Sequence, residues 1–171
     1  GRTPPYSAAR KGHAEVVAAL LATPGIAVNK EDKGGRTPLY IAAKQGQTAV
    51  VAALLSTPGI DVNKENKDGR TPLFYAAQVG HTALVAALLA APGIDVNKED
   101  EDGVTPLLVA AQEGQTEVVA ALLTTPGIDA NKEHKDGRTP LFIAAQKGQT
   151  EVVAALLAAP GIDVNKENKD G

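Results

Sequence analysis

The side chains able to do chemistry are few and scattered. Three histidines, His13, His81 and His134, are widely separated. The first two occupy one position of a recurring unit where the chain elsewhere places Gln47, Gln115 and Gln149. Exchange with glutamine points to hydrogen bonding, not proton transfer. His134 sits alone in a loop, and a metal site needs ligands that converge. The serines, Ser7 and Ser56, lie in no nucleophile motif. Cysteine is absent, which removes disulfides, thiolate chemistry and zinc-finger spacing. Gly34-Gly35 reads as a turn and not as a phosphate cradle.

One cluster looks like the opening of a calcium loop: Asp61-x-Asn63-x-Glu65, followed by Asp68-Gly69. A calcium loop of that kind needs Gly at its sixth position and Glu at its twelfth. Asn66 and Pro72 stand there instead. The sequence therefore implies no catalytic residue, no metal and no cofactor, although the acidic loops of the third and fourth units could attract loose cations.

The elements that carry these side chains recur at a fixed interval. Gly35-Arg36-Thr37-Pro38-Leu39-Tyr40-Ile41-Ala42-Ala43 returns from Gly69, Gly103 and Gly137, and a degraded copy opens at Gly1. The marker glycines, through Gly171, are 34 residues apart, which divides the chain into units 1–34, 35–68, 69–102, 103–136 and 137–170. A period of this size signals a stacked array in which each unit touches only its neighbours. The hydrophobic fraction of 43% suffices for a core, but aromatics make up only 3%, so Ala, Val and Leu must carry the burial.

Unit two serves as the template. Thr37-Pro38 starts a short first helix, Thr capping the free amides and Pro taking a position that needs no N–H. Leu39, Ala42 and Ala43 mark its buried side, and Gly46 supplies the left-handed residue that stops it. Thr48 is placed to cap a second helix through Val50, Val51, Leu54 and Leu55, with Glu15, Glu117 and Glu151 in the first turn of its counterparts. Pro58-Gly59 ends that helix. Ile60 to Asp68 form a turn-rich, charged connection. Neither helix is long enough to hold alone in water, so stacking must make the chain fold.

The pattern resembles the ankyrin repeat, a turn-plus-two-helix unit with Thr-Pro-Leu-His-x-Ala. The matching residues are Thr37-Pro38-Leu39-Tyr40-Ile41-Ala42-Ala43, Gly46, Val50-Val51-Ala52-Ala53-Leu54-Leu55 and Asp61-Val62-Asn63, and the match runs the whole chain. The resemblance implies an all-α solenoid of helix-turn-helix units joined by hairpin-like loops, residues 1–171 forming one array. Three departures stand out. The family's His is replaced by Tyr6, Tyr40, Phe74, Leu108 and Phe142, so packing is expected where the family has a polar bridge. Each unit is one residue longer near Pro58-Gly59, so that loop should bulge. Pro5 replaces Leu in unit one and should fray or shorten its first helix.

The resemblance also implies binding of a protein through the hairpin tips and the concave face of the first helices. Carried over, the contact positions are Arg36, Lys44, Gln45, Glu65, Lys67, Asp68, Arg70, Gln78 and Val79. Further along they are Glu99, Glu101, Asp102, Val104, Gln112, Glu113, Glu133, Lys135, Asp136, Arg138, Gln146 and Lys147. Asn63, Asn97, Asn131 and Asn165 match positions where the family can be hydroxylated. Tyr75, a further candidate contact, and Val79, Glu101, Val104, Leu108, Glu113 and His134 break the near-identity of the copies. Val79 and Val104, expected at the surface, would form an apolar spot with an acidic rim, suited to a basic or amphipathic partner segment.

Net charge is −3, with units three and four acidic and unit one basic, which offers no clustered basic face for nucleic acid. No apolar run reaches membrane-spanning length, and no signal peptide is visible; an intracellular setting is the default expectation. The missing initiator Met suggests an excised or engineered segment. Near-identical copies without Cys, Met or Trp fit a consensus-like or designed scaffold, or a natural array soon after duplication. A spacer that binds nothing specific is the rival reading. Unit five repeats the internal apolar pattern at Val152, Val153, Leu156 and Leu157, so its outer face is expected to fray or to associate end to end.

Overall fold

A computed structural model describes residues 1–169; Asp170, the last residue of the fifth unit, and the marker Gly171 lie outside the described residues. Among the described residues every regular element is a helix, and the helices come in five pairs. They are α1 (Pro4–Lys11) with α2 (Ala14–Leu21), α3 (Pro38–Lys44) with α4 (Thr48–Leu55), and α5 (Pro72–Val79) with α6 (Thr82–Leu89). Then follow α7 (Pro106–Glu113) with α8 (Thr116–Leu123), and α9 (Pro140–Lys147) with α10 (Thr150–Leu157).

Each first helix starts as its sequence dictates. Thr37 is extended at φ −84°, and its hydroxyl accepts the Tyr40 N–H at 3.1 Å; Thr71, Thr105 and Thr139 do the same for Phe74, Leu108 and Phe142. Proline follows at the first helical position, where its missing donor costs nothing. Glycine ends α1, α5, α7 and α9 in the left-handed region, its N–H returning to the last turn.

The second helices begin differently from expectation. Thr48 is the first helical residue, and the cap position belongs to Gln47, whose side chain makes no cap bond. The Gln47 amide is drawn away by stacking: it lies over Gly12 of the preceding pair, so close that a Cβ there would stand 2.2 Å from its Oε1. His81, Gln115 and Gln149 lie likewise over Gly46, Gly80 and Gly114. In the third pair's contact with the fourth, Gln115 Nε2 donates to the Gln78 carbonyl at 3.3 Å, closing the end of α5. Glycine is thus required twice over, for its backbone angle and for the space it leaves.

Pro58-Gly59 also does less than expected. The helix has already ended at Leu55, and Pro58-Gly59 makes a separate turn closed by Ile60 N–H to the Thr57 carbonyl at 3.3 Å. Pro5 leaves α1 at a full eight residues. It falls within the first turn, whose amides have no intrahelical partner to lose.

Packing explains why such short helices persist. Leu39, Ala42, Ala43 and their equivalents through the fourth pair are fully buried. The first helix is in fact buried on more than one side, since Tyr40 and Ile41 are covered as well. It lies between two sibling first helices and its own partner. The alanines let the first helices approach closely, and these pack against one another more extensively than the second helices do. The array therefore curves with the first helices and loops on its inner side. Second helices contribute Val50, Val51 and Leu54 and their counterparts, each worth roughly 1.5–3 kcal/mol when fully buried.

A polar seam runs outside this core. Asn97 Nδ2 donates to the Gly127 carbonyl at 2.7 Å, while Asn97 Oδ1 accepts the Asp129 N–H at 2.9 Å. Asn29, Asn63 and Asn131 clamp the following loop in the same two-handed way. Beside it, Lys64, Lys98, Lys132 and Lys166 reach back to Glu31, Glu65, Glu99 and Glu133 at 2.7–3.1 Å. Replacing Asn97 with Ala removes two bonds and should cost about 1–2 kcal/mol in urea unfolding. Asn165→Ala is the control, because among the described residues its amide meets no further loop; that change should stay within about 0.5 kcal/mol.

Candidate functional site

The surface that the sequence singled out is built on a tight turn repeated between the pairs. Asp32 Oδ1 accepts the N–H of Gly34 at 2.8 Å and of Arg36 at 3.2 Å. Asn66 Oδ1 holds Asp68 and Arg70, and Asp100 Oδ1 holds Asp102 and Val104, in the same way. An Asx side chain in this role shapes the backbone without help from a sheet. Neighbouring turns are then tied to each other: Lys67 N–H donates to the Gly34 carbonyl at 3.0 Å and Glu101 N–H to the Asp68 carbonyl at 3.1 Å. Gly69, at φ +75°, sits where a Cβ would stand 2.8 Å from the Glu101 nitrogen.

His134 is not isolated in its loop. It takes the Asx position of the fourth turn, with Nδ1 donating to Asp136 Oδ1 at 2.7 Å. Asp136 supports the turn in turn, accepting from the Arg138 N–H at 3.2 Å and Arg138 Nε at 2.6 Å.

The candidate contact residues separate into two groups. Several are consumed by the frame. Arg36 forms a fork on Asp32, with NH2 to Oδ2 at 2.6 Å, and Arg70 Nε reaches Asp100 Oδ2 at 3.0 Å while its guanidinium covers the Phe74 ring. Lys135 Nζ bonds the Glu101 carbonyl, and Arg138 is tied to Asp136. Glu65, Glu99 and Glu133 belong to the lysine seam. The other group is open to solvent: Gln45, Lys67, Asp68, Val79, Glu101, Asp102 and Glu113, with Gln146 and Lys147 at the far end. Lys44, Gln78 and Gln112 are half-buried, Gln112 donating to Glu113 at 3.0 Å.

Two expectations need correction. Tyr75 is buried: its ring packs edge-on against Tyr40 at 5.1 Å and Phe74 at 5.7 Å, with Lys44 Nζ 4.6 Å above it. It follows the helix face that Ile41 and Val109 also bury, so it is a core residue and no contact for a partner. Burial opposes ionisation of Tyr75, but the Tyr40 hydroxyl, Arg70 and Lys44 together hold it below the ordinary tyrosine value. Val104 is half-buried against the core, and of the two valines Val79 alone, 49% exposed, is open to solvent. The two also stand at opposite ends of neighbouring first helices, so they make no single spot.

The polar bridge expected to be lost survives at one place. Tyr40 hydroxyl accepts from Asn66 Nδ2 at 3.0 Å, linking the second pair to the turn that follows it. Phe74 and Leu108 pack without a polar partner of this kind.

The calcium-like cluster is spent on structure. Asp61 Oδ1 accepts the Asn63 N–H at 3.1 Å, Asn63 clamps the next loop, and Glu65 meets Lys98 at 2.8 Å. These residues line a charged groove of about 500 Å³ between the first three loops, in which each carboxylate–lysine pair already satisfies itself. Among the described residues no three His, Asp or Glu side chains converge for a metal, and no helix is long and apolar enough to cross a membrane.

With helix pairs, clamped loops and capped turns in view, comparison with known families is decisive. The family model for ankyrin repeats matches in three copies, over residues 1–66, 58–134 and 92–168. The chain belongs to the ankyrin-repeat family. A search of characterised proteins finds no match. Ankyrin repeats generally mediate protein–protein interaction and are typically not enzymes.

The first ankyrin turn carries a test of its electrostatics. Burial works against a charged Asp32, yet the Arg36 fork and the two turn amides hold its carboxyl far below the usual aspartate range. A depressed acid contributes stability that is present above its unfolded value and lost as pH falls. Stability should therefore drop as the pH passes from about 5 through 4 and below. Asp32→Asn keeps the turn, as Asn66 does, and should flatten that part of the pH profile when urea midpoints are compared between pH 3 and pH 7 on the ordinary carboxylate scale.

Proposed function

We propose that this ankyrin array is a non-catalytic binding scaffold that takes a basic or amphipathic segment of a protein along the inner side of its second to fourth pairs. The observation that carries the reading is the division between frame and fringe. Beneath the inner surface the turn amides are held by Asx side chains and neighbouring turns are tied to each other. Above it Gln45, Val79 and Glu113, at consecutive first-helix ends, and Glu101 and Asp102, at one turn tip, remain exposed. A partner meets a preformed surface, so little ordering cost falls on the scaffold.

The chemistry of the fringe favours the charge of that partner. Glu113 follows Val79 in the same row one pair later, and Glu101 stands where the other turns carry Lys67 and Lys135. An apolar residue on Val79 with cationic residues towards Glu113 and Glu101 would answer both features. Arg36, Arg70 and Arg138, fixed by their carboxylates, contribute shape and not a free charge.

Selection from a random peptide display library at near-physiological salt tests the proposal. Basic amphipathic peptides should be enriched. Val79→Asp and Glu113→Lys should each weaken the best binder at least about tenfold, close to 1.4 kcal/mol, with the helical circular dichroism unchanged. No enriched peptide, or binders indifferent to both changes, would overturn the reading and favour a spacer.

A further inference from the structure

The four internal junctions of the array are built from the same parts, and the faces of the first and fifth pairs carry the separate halves of a fifth such junction. At each junction an asparagine grasps the next loop at its glycine carbonyl and at the N–H two residues on. Asn165 on the last pair is exposed, and Gly25 and Ala27, the matching carbonyl and amide, are exposed on the first. At each junction a lysine meets the preceding pair's glutamate. Glu167 and Lys30 are the two members left over, both in solvent. At each junction a Gln or His side chain covers a helix-ending glycine, whereas among the described residues nothing approaches Gly148, and His13 is the residue of that series on the first pair.

The apolar surfaces match in the same sense. Val164 is 57% exposed where its internal counterpart Val62 is 7%, and it borders an open groove of about 380 Å³ with Leu141, Phe142 and Ala145. On the opposite face Val16 is 51% exposed where its counterpart Val50 is 1%. Each valine is uncovered because the sibling that buries its equivalents is not beside it.

We infer that copies of this chain stack head to tail, the fifth pair of one on the first pair of the next, reproducing the internal junction. The bonds to be formed are Asn165 to Gly25 and Ala27, Glu167 to Lys30, and His13 over Gly148, around Val164 and Val16. The contact is heterologous and repeats the internal rotation, which does not close after five pairs; it builds open filaments whose inner surface is continuous. The inference is independent of the partner proposed for the inner surface, because none of these residues lies in that fringe.

Sedimentation equilibrium over a concentration series decides it. The wild-type chain should show a mass that rises with concentration and does not stop at a dimer. Val16→Glu and Val164→Lys, both at exposed positions, should each be monomeric, with unfolding midpoints equal to that of the wild type at dilutions where it too is monomeric. Mixed in equal amounts they should form a dimer and nothing larger, because one intact face remains on each. Lys30→Glu should weaken association several-fold, and adding Glu167→Lys to the same chain should restore part of it. A wild-type chain that is monomeric throughout, single variants that associate as the wild type does, or a mixture that stays monomeric would each overturn the inference.

Discussion

Helices of seven or eight residues do not survive alone in water, because nucleation costs more than so few bonds return. Everything else in this molecule follows from that constraint. Each pair needs a sibling on its apolar side, and the sequence answers with residues that tolerate close repetition. The alanines of Ala42-Ala43 and their copies set the first helices near together, while Val50, Val51 and Leu54 fill the wider gap between second helices. Curvature is the geometric residue of that difference in side-chain size. The concave side exists because the paired alanines of the first helices take less room than the Val and Leu between the second helices.

Apolar stacking alone would leave neighbouring pairs free to slide, since dispersion and burial are not directional. The directional work falls to the seam of asparagine clamps, glutamine-covered glycines and tied turns. These bonds cross from one pair to the next and nowhere further, so energetics run along one dimension. The lysine–glutamate pairs beside them are solvent-washed and individually weak, which makes them register marks more than sources of stability.

Much of the fold could be read from residues whose effect is local. Thr37, Pro38 and Gly46 act on their own turn of backbone, and their signals needed no knowledge of neighbours. What escaped the sequence required the offset between pairs. Thr48 looked like a cap because threonine commonly is one; Gln47 holds the cap position while its side chain serves Gly12 in another pair. Lys98 and Glu65 were visible as charges, but their pairing depends on a loop 33 residues earlier lying alongside. The site divided the same way. Val79, at the end of α5, is exposed as its place in the repeat implies, whereas Tyr75, a candidate contact by its departure from the other copies, shares a buried face with Ile41 and Val109. Comparing copies at that position would have revealed the burial, since the others are Ser7, Ile41, Val109 and Ile143.

The separation of frame from fringe explains where such a chain can vary. A change in the frame must satisfy a preceding and a following sibling at once. Tyr75 does so with three partners, Tyr40, Phe74 and Lys44, packed around its ring. A change at Val79, Glu101 or Glu113 meets solvent and alters folding by no more than a few tenths of a kcal/mol. Selection, natural or deliberate, can therefore write on the fringe without disturbing what holds it up. The same logic makes His134 tolerable in an Asx turn: its ring nitrogen donates to Asp136, and that carboxylate accepts the Arg138 N–H that an Asx oxygen takes elsewhere.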